Sequence, residues 1–195
     1  MIYLETERLV LRDWREEDSV VFSRMNRDPK VMEYFLKPLT DTESRDFYER
    51  IRREIDTFGW GLFAAEVKIS GKFIGYIGLH HTNFETDFCP CIEIGWRLCE
   101  NSWGRGYATE GARACLDYAF RQLQLPEIYS FTSLPNRRSE RVMQKIGLQK
   151  IGEFDHPLVP AGHPLLRHVL YRAEKGKTAS SIMISQSLIR ILTGT

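Results

Sequence analysis

Long apolar runs, an excess of one charge and paired cysteines are all missing from this sequence. No stretch approaches the roughly 18 continuous apolar residues that a membrane-spanning helix needs. Charges also fall too close together near the N-terminus for a secretion signal. The expectation is therefore a soluble, cytoplasmic chain with no membrane partner. The 27 basic and 26 acidic side chains nearly cancel, which argues against a surface built for nucleic acid while leaving room for a local basic patch. The four cysteines, Cys89, Cys91, Cys99 and Cys115, have no CxxC spacing, and reduced thiols suit them. His156, His163 and His168 have no carboxylate or cysteine at ligand spacing, so no metal is expected. A nucleotide loop is missing too: "GKT" ends a Walker A pattern, but Tyr171 stands where that loop requires glycine. Gly104 and Gly106 would need a third small residue for a dinucleotide fingerprint, and Thr109 stands there.

What remains is the make-up of one globular unit. At 195 residues, with 43% hydrophobic residues and 12% aromatics, the chain can bury a single sizeable core. "ERLVLRDW" alternates like a half-buried strand, with Leu9 and Leu11 inward against Arg8, Val10 and Arg12. Asp13 and Glu16 then have the spacing of a helix entrance, and Val21, Phe22 and Met25 give that helix an apolar side. Thr40 and Glu43 have capping-box spacing ahead of Phe47, Ile51, Ile55 and Phe58, which predicts a second helix running to about Thr57. "GLFAAEV", "KFIGYIGLHH" and "CIEIGWRLC" read as an antiparallel meander. Helical spacing from Ala108 to Leu123 predicts a long amphipathic helix. "EIYSFTS" reads as a strand, "NRRSERVMQKIG" as a helix entered at Asn136 and closed by Gly147, and 148–155 with 166–173 as a final strand pair. Residues 1–175 are thus one mixed α/β domain. Residues 176–195 contain no acidic side chain, with only Lys177 and Arg190 charged, and read as an appended tail.

"WGRGYATEG", residues 103 to 111, sets two glycines and an arginine directly before the long helix. Glycine is unfavourable inside a helix, so a pair at its entrance indicates a turn whose backbone must come close to something. A helix N-terminus offers free amides and the positive end of a dipole, and Arg105 adds a full charge; the natural guest is an anion such as phosphate. An ordinary loop is the bland alternative for the turn taken alone. Glu110, in the first helical turn, reads as a surface acid that complements the dipole.

Together, "IEIGWRLCENSWGRGYATEGARACLDYAF" and "NRRSERVMQKIGLQKIGEF" resemble the acetyl-coenzyme A binding core of the GNAT superfamily of N-acetyltransferases. "LETERLVLRDWREED" and "DPKVMEYF" are similar to its ribosomal-protein N-terminal acetyltransferase branch. The resemblance spans roughly residues 3 to 173. It implies a twisted, mostly antiparallel sheet flanked by helices and split in a V between the fourth and fifth strands. It also implies an acetyl-CoA-dependent N-acetyltransferase in which an amine attacks the thioester directly in a ternary complex. Trp103, Gly106 and Ala108 occupy the first, fourth and sixth places of the family's pyrophosphate loop.

By the same resemblance, Trp96, Arg97 and Leu98 line the pantetheine arm, and amides of Gly104, Arg105, Gly106, Tyr107 and Ala108 hold the pyrophosphate. Asn136 meets a pantetheine amide, and Ser139 lies near the sulfur as proton donor or thiolate partner. Many relatives carry a tyrosine as general acid four residues before the helix-closing glycine; Met143 stands there in this chain, which keeps a non-catalytic acyl-CoA-binding module as the rival reading. Lys145 suits a coenzyme phosphate or a solvated helix face equally. Glu93 is the candidate base for the ammonium, or else an ordinary strand-edge carboxylate. The acceptor, a small-molecule amine or a protein N-terminus, is expected between the two N-terminal helices, residues 34 to 39, and the strand ends near His80 and His156. Since neighbours on a strand point to opposite faces, at most one of His80 and His81 faces it. A monomer or homodimer is expected.

Overall fold

Thr40 and Glu43 close the capping box that their spacing demands. The Thr40 hydroxyl accepts from the Glu43 amide at 3.2 Å while the Glu43 carboxylate accepts from the Thr40 amide at 2.8 Å, leaving two otherwise orphaned donors satisfied. The helix they start is α2 (Asp41–Phe58), ended by Gly59 in the left-handed conformation. In the computed structural model, which describes residues 1 to 176, four helices and eight strands follow the order β1 (Ile2–Glu5), β2 (Leu9–Arg12), α1 (Asp18–Arg27), α2, β3 (Leu62–Val67), β4 (Lys72–Thr82), β5 (Cys91–Leu98), α3 (Tyr107–Arg121), β6 (Glu127–Ser133), α4 (Arg137–Lys145), β7 (Gln149–Asp155) and β8 (Arg167–Glu174). The tail expected at 176–195 lies outside the described residues from 177 onward. No helix among the described residues is long and apolar enough to cross a membrane.

All eight strands form one sheet in the order β1-β2-β3-β4-β5-β6-β8-β7. Every neighbouring pair is antiparallel except β5 and β6. These two run parallel and are in register at a single pair, Glu93 with Tyr129, after which they part. They are the fourth and fifth of the strands expected from the sequence, since β1 escaped that reading. β8 lies between β6 and β7, so the last two strands pair with each other while the later one also carries the sheet onward.

Alternation along β4 sorts the helices onto the two faces. Tyr76 points at α1 and α2, with its ring 6.2 Å from that of Phe22 and 5.8 Å from that of Phe47. The neighbouring Ile77, fully buried, points at α3, where a Cβ on Gly111 would come within 2.5 Å of it.

Two expectations at the N-terminus fail for electrostatic reasons. Asp13 does not enter α1: its carboxylate is taken by the N-terminal ammonium and by the Tyr3 hydroxyl, both at 2.8 Å. The helix begins at Asp18 instead. Arg12, expected on the polar side, is buried. It is held at 2.7 Å by both Asp18 and Glu66, the pairing that makes a buried guanidinium tolerable.

Candidate active site

Gly104 and Gly106 both adopt left-handed backbone, at φ 72° and 83°, which glycine enters without steric penalty. A Cβ on Gly104 would meet nothing within 4 Å, and one on Gly106 only Arg8 Nη2 at 3.3 Å. The open space beside this turn is therefore space that any side chain would fill. Gly106 is the N-cap of α3 and offers no side-chain cap. The first amide to find a helical acceptor is that of Glu110, on the Gly106 carbonyl at 3.0 Å. Amides 104 to 109 have no acceptor among the described residues. A run of free donors at a helix N-terminus is the chemistry that holds an oxyanion, and the exposed Arg105 and Lys145 add cationic charge nearby.

Glu110 holds this turn rather than merely facing solvent. Its carboxylate accepts from the Thr6 hydroxyl at 2.6 Å, the Arg8 amide at 2.8 Å and Arg8 Nε at 2.7 Å. Partial burial raises its pKa, but these hydrogen bonds and the Arg8 charge outweigh that and hold the carboxyl below its usual range. Arg8 also donates to the Arg105 carbonyl at 2.9 Å and lies 4.9 Å over the Tyr107 ring.

Where β5 leaves β6, its backbone is exposed. The Cys99 amide donates to Ile74 on β4, whereas the Ile94 carbonyl accepts from Ser130 on β6 at 2.9 Å. Alternation therefore turns the odd-numbered backbone groups toward β4 and leaves the amide and carbonyl of Trp96 facing the gap. Leu98 faces it too, but its carbonyl is taken by Trp103 Nε1 at 2.8 Å. The Arg97 side chain lies on the opposite wall, toward α1. Across the gap, Asn136 caps α4 in the manner of any good N-cap: its Oδ1 accepts from the Ser139 amide at 3.2 Å, and its Nδ2 reaches Thr132 at 2.9 Å and the Ser139 hydroxyl at 3.2 Å. Met143 is buried, 1% exposed, on the same helix.

The glycine turn, the strand from Trp96 to Leu98 and the start of α4 line one cleft of about 710 Å³ that also takes in Tyr34, Phe35, Leu36, His80, Glu93 and His156, whereas Arg105 is not among its lining residues. On its lining the Glu93 carboxylate accepts from the Thr82 hydroxyl at 3.0 Å and lies 3.1 Å from His80 Nε2. Burial opposes a charge on the His80 ring, yet Glu93 outweighs it and raises the pKa above the ordinary histidine value. His81 points the other way, bonded to Glu54 at 2.9 Å and stacked 4.8 Å from Trp60. His156 and His168 sit with Phe84, Phe131 and Phe154 in an aromatic wall, and burial depresses both pKa values toward neutral rings. The sequence reading missed this wall and the Glu93–His80–Thr82 contact. Only the opposed registry of His80 and Glu93 across β4 and β5 could have signalled the latter. Cys89 and Cys91 are free thiols 3.8 Å apart at the entry to β5, and Cys115 lies in the core.

A model of the acetyltransferase (GNAT) domain matches residues 8–149. The protein YkkB of Bacillus subtilis is 34% identical over 146 residues, spanning 74% of this chain and 84% of its own. FsC-acetyl coenzyme A-N(2)-transacetylase of Aspergillus fumigatus is 31% identical over 163 residues, 77% of this chain and 66% of its own. The crystal structure of a GNAT-family acetyltransferase from Bacillus anthracis superimposes with a TM-score of 0.75 at 26% identity, covering 91% of this chain and 100% of that one.

Proposed function

The chain belongs to the GNAT acetyltransferase family, and on that premise we propose that it moves an acetyl group from acetyl-CoA to a primary amine by direct attack in a ternary complex. The observation that carries this reading is the juxtaposition of free amides 104 to 109 with the parted β5 and β6: an anion cradle at one end of a gap edged by unpaired strand backbone.

Bound there, acetyl-CoA supplies an activated acyl group on a thiolate leaving group. The protein's own groups supply the rest. Amides 104 to 108, with Trp103, Arg105, Tyr107 and Lys145 around them, hold the diphosphate. The Trp96 amide and carbonyl, flanked by Leu98, take up the amides of the arm as an added strand would, and Asn136 borders it from α4. Glu93, steadied by Thr82 and His80, accepts the proton of the incoming ammonium, directly or through water. An aliphatic ammonium has a pKa near 10, so it needs such an acceptor at neutral pH. Ser139 orients the departing thiolate. None of the four cysteines lines the cleft, and burial raises the pKa of the Cys99 thiol at the splayed end of β5, which favours direct attack over an acyl-enzyme.

The test is a screen of amines with labelled acetyl-CoA. Label should pass to at least one primary amine with free coenzyme released in equal amount. Saturable coenzyme binding without transfer to any amine in a broad panel would defeat the catalytic reading.

A further inference from the structure

Arg97 has no task in the chemistry just described, and its surroundings are unusual for a cation. It lines the cleft, is only 8% exposed, and has no salt-bridge partner among the described residues. The contrast with Arg12, also buried but held by two carboxylates, is direct. Arg97 Nη1 donates to a neutral acceptor, Asn26 Oδ1, at 2.7 Å. Phe35 lies 4.1 Å over its guanidinium carbon, with Phe47 and Tyr76 each at 5.6 Å. Its Nε is buried without a hydrogen-bond partner, and Nη2 has none among the described residues. Nε and Nη2 together form the side-on edge of the fork; Nε is enclosed, so Nη2 is the donor on that edge open to a carboxylate. Buried charges are paired or coordinated as a rule, so this edge lacks an anion that no described residue provides.

The strand places that edge in line with the reaction centre. Glu93, Gly95 and Arg97 share one face of β5, with His80 opposite Glu93 and Tyr76 opposite Arg97. Between the two ends Gly95 presents no side chain: a Cβ there would meet only His80 Nε2, at 3.9 Å. The strand segment from Glu93 to Arg97 spans about 13 Å between Cα atoms, with an open floor between a proton acceptor and an unpaired guanidinium.

We propose that Arg97 binds a carboxylate on the acceptor, so that this enzyme acetylates an elongated anionic amine, with its ammonium at Glu93 and its carboxylate on the free edge of Arg97. The assignment rests on the acetyl-transfer reading above and narrows it. Polycationic amines are disfavoured by the same geometry, because a second ammonium would be driven into an unneutralised guanidinium. The α-amino group of an amino acid is too close to its own carboxylate to span the two ends, the charges being separated by a single carbon. Phe35, 43% exposed, covers the guanidinium face and shields the contact from water.

The experiment compares ε-aminocaproate, its uncharged amide and hexamethylenediamine as acceptors with acetyl-CoA. The acid should exceed the amide by about 10-fold or more in kcat/KM, chiefly through KM, as a charge-assisted pair requires, and the diamine should be the poorest. In Arg97→Met the advantage of acid over amide should vanish, and in Arg97→Lys it should return in part. Equal kcat/KM for acid and amide, or an advantage that survives in Arg97→Met, overturns the proposal. Should that variant fail to fold, the wild-type protein still decides: hexanoate should compete with the acceptor where hexanamide does not, and equal inhibition by the two overturns the assignment. If no amine is acetylated at all, the transfer reading fails, and Arg97 is judged by calorimetry of hexanoate on the coenzyme-loaded protein: binding that Arg97→Met abolishes supports the anion site, and no binding overturns it.

Discussion

At the α3 end of the cleft the contacts on offer are main-chain amides of one continuous turn; at the α1 and α2 end they are side chains drawn from distant segments, Phe35, Phe47, Tyr76, His80, Glu93 and Arg97. The first end depends on backbone conformation, so it tolerates change of side chains but not of glycine. The second depends on how a loop, a helix and two strands meet, so a single side chain there can alter what binds without altering the fold. On the proposed assignment, one chain thus separates a general handle from a selective one.

The sharpest way to break this contrast is at Gly106. Placing valine at φ 83° costs about 1–2 kcal/mol of conformational strain, which a folded domain survives. It also tilts the free amides away from their guest, and losing two charge-assisted hydrogen bonds weakens coenzyme binding on the order of 100-fold. Calorimetric titration of Gly106→Val with coenzyme A checks this; unchanged affinity would remove the turn from the site.

At the other end, Glu93→Gln should lower kcat/KM by about 100-fold, the scale of a lost general base, while coenzyme affinity holds. The same variant tests the His80 contact. Because the pKa of His80 is raised in the folded protein, the contact contributes stability that is fully present below the unfolded histidine value of about 6.5 and is lost as pH rises through the elevated one. Thermal melts across that window should show the wild type losing ground on Glu93→Gln as pH increases. Parallel curves would mean that the ring and the carboxylate are not coupled. The smallest effect belongs to Ser139→Ala, between the two ends: about a fivefold loss in kcat, the worth of one neutral hydrogen bond, with little change in coenzyme affinity. A wild-type turnover number would leave Ser139 only its place in the first turn of α4.

The same division explains what could be read from the residues in order. Local chemistry was legible: the Thr40–Glu43 box, the apolar stripe of α3, the limits of β6 and the Asn136 cap are each set within a few residues of chain. So was the glycine turn, because its backbone demands are local. The placement of β8 between β6 and β7, the burial of Arg12 against Glu66 and the capture of Asp13 by the N-terminus follow from partners far away in sequence or from chain ends, to which periodicity is blind. Arg97 was legible as a residue of the right strand, but not as a cation lacking a counterion, since that depends on Asn26 and Phe35 arriving from another element.

With one register pair and the adjacent Ser130–Ile94 hydrogen bond joining β5 to β6, the eight strands amount to a five-stranded leaf and a three-stranded leaf sewn by one short seam, with α3 resting against both. Whatever fills the opening and bonds to the Trp96 backbone is also closing that seam. Cargo and architecture are then hard to tell apart: the loaded molecule should exchange its β5 and β6 amides more slowly and melt later than the empty one, as though a strand had been returned to it.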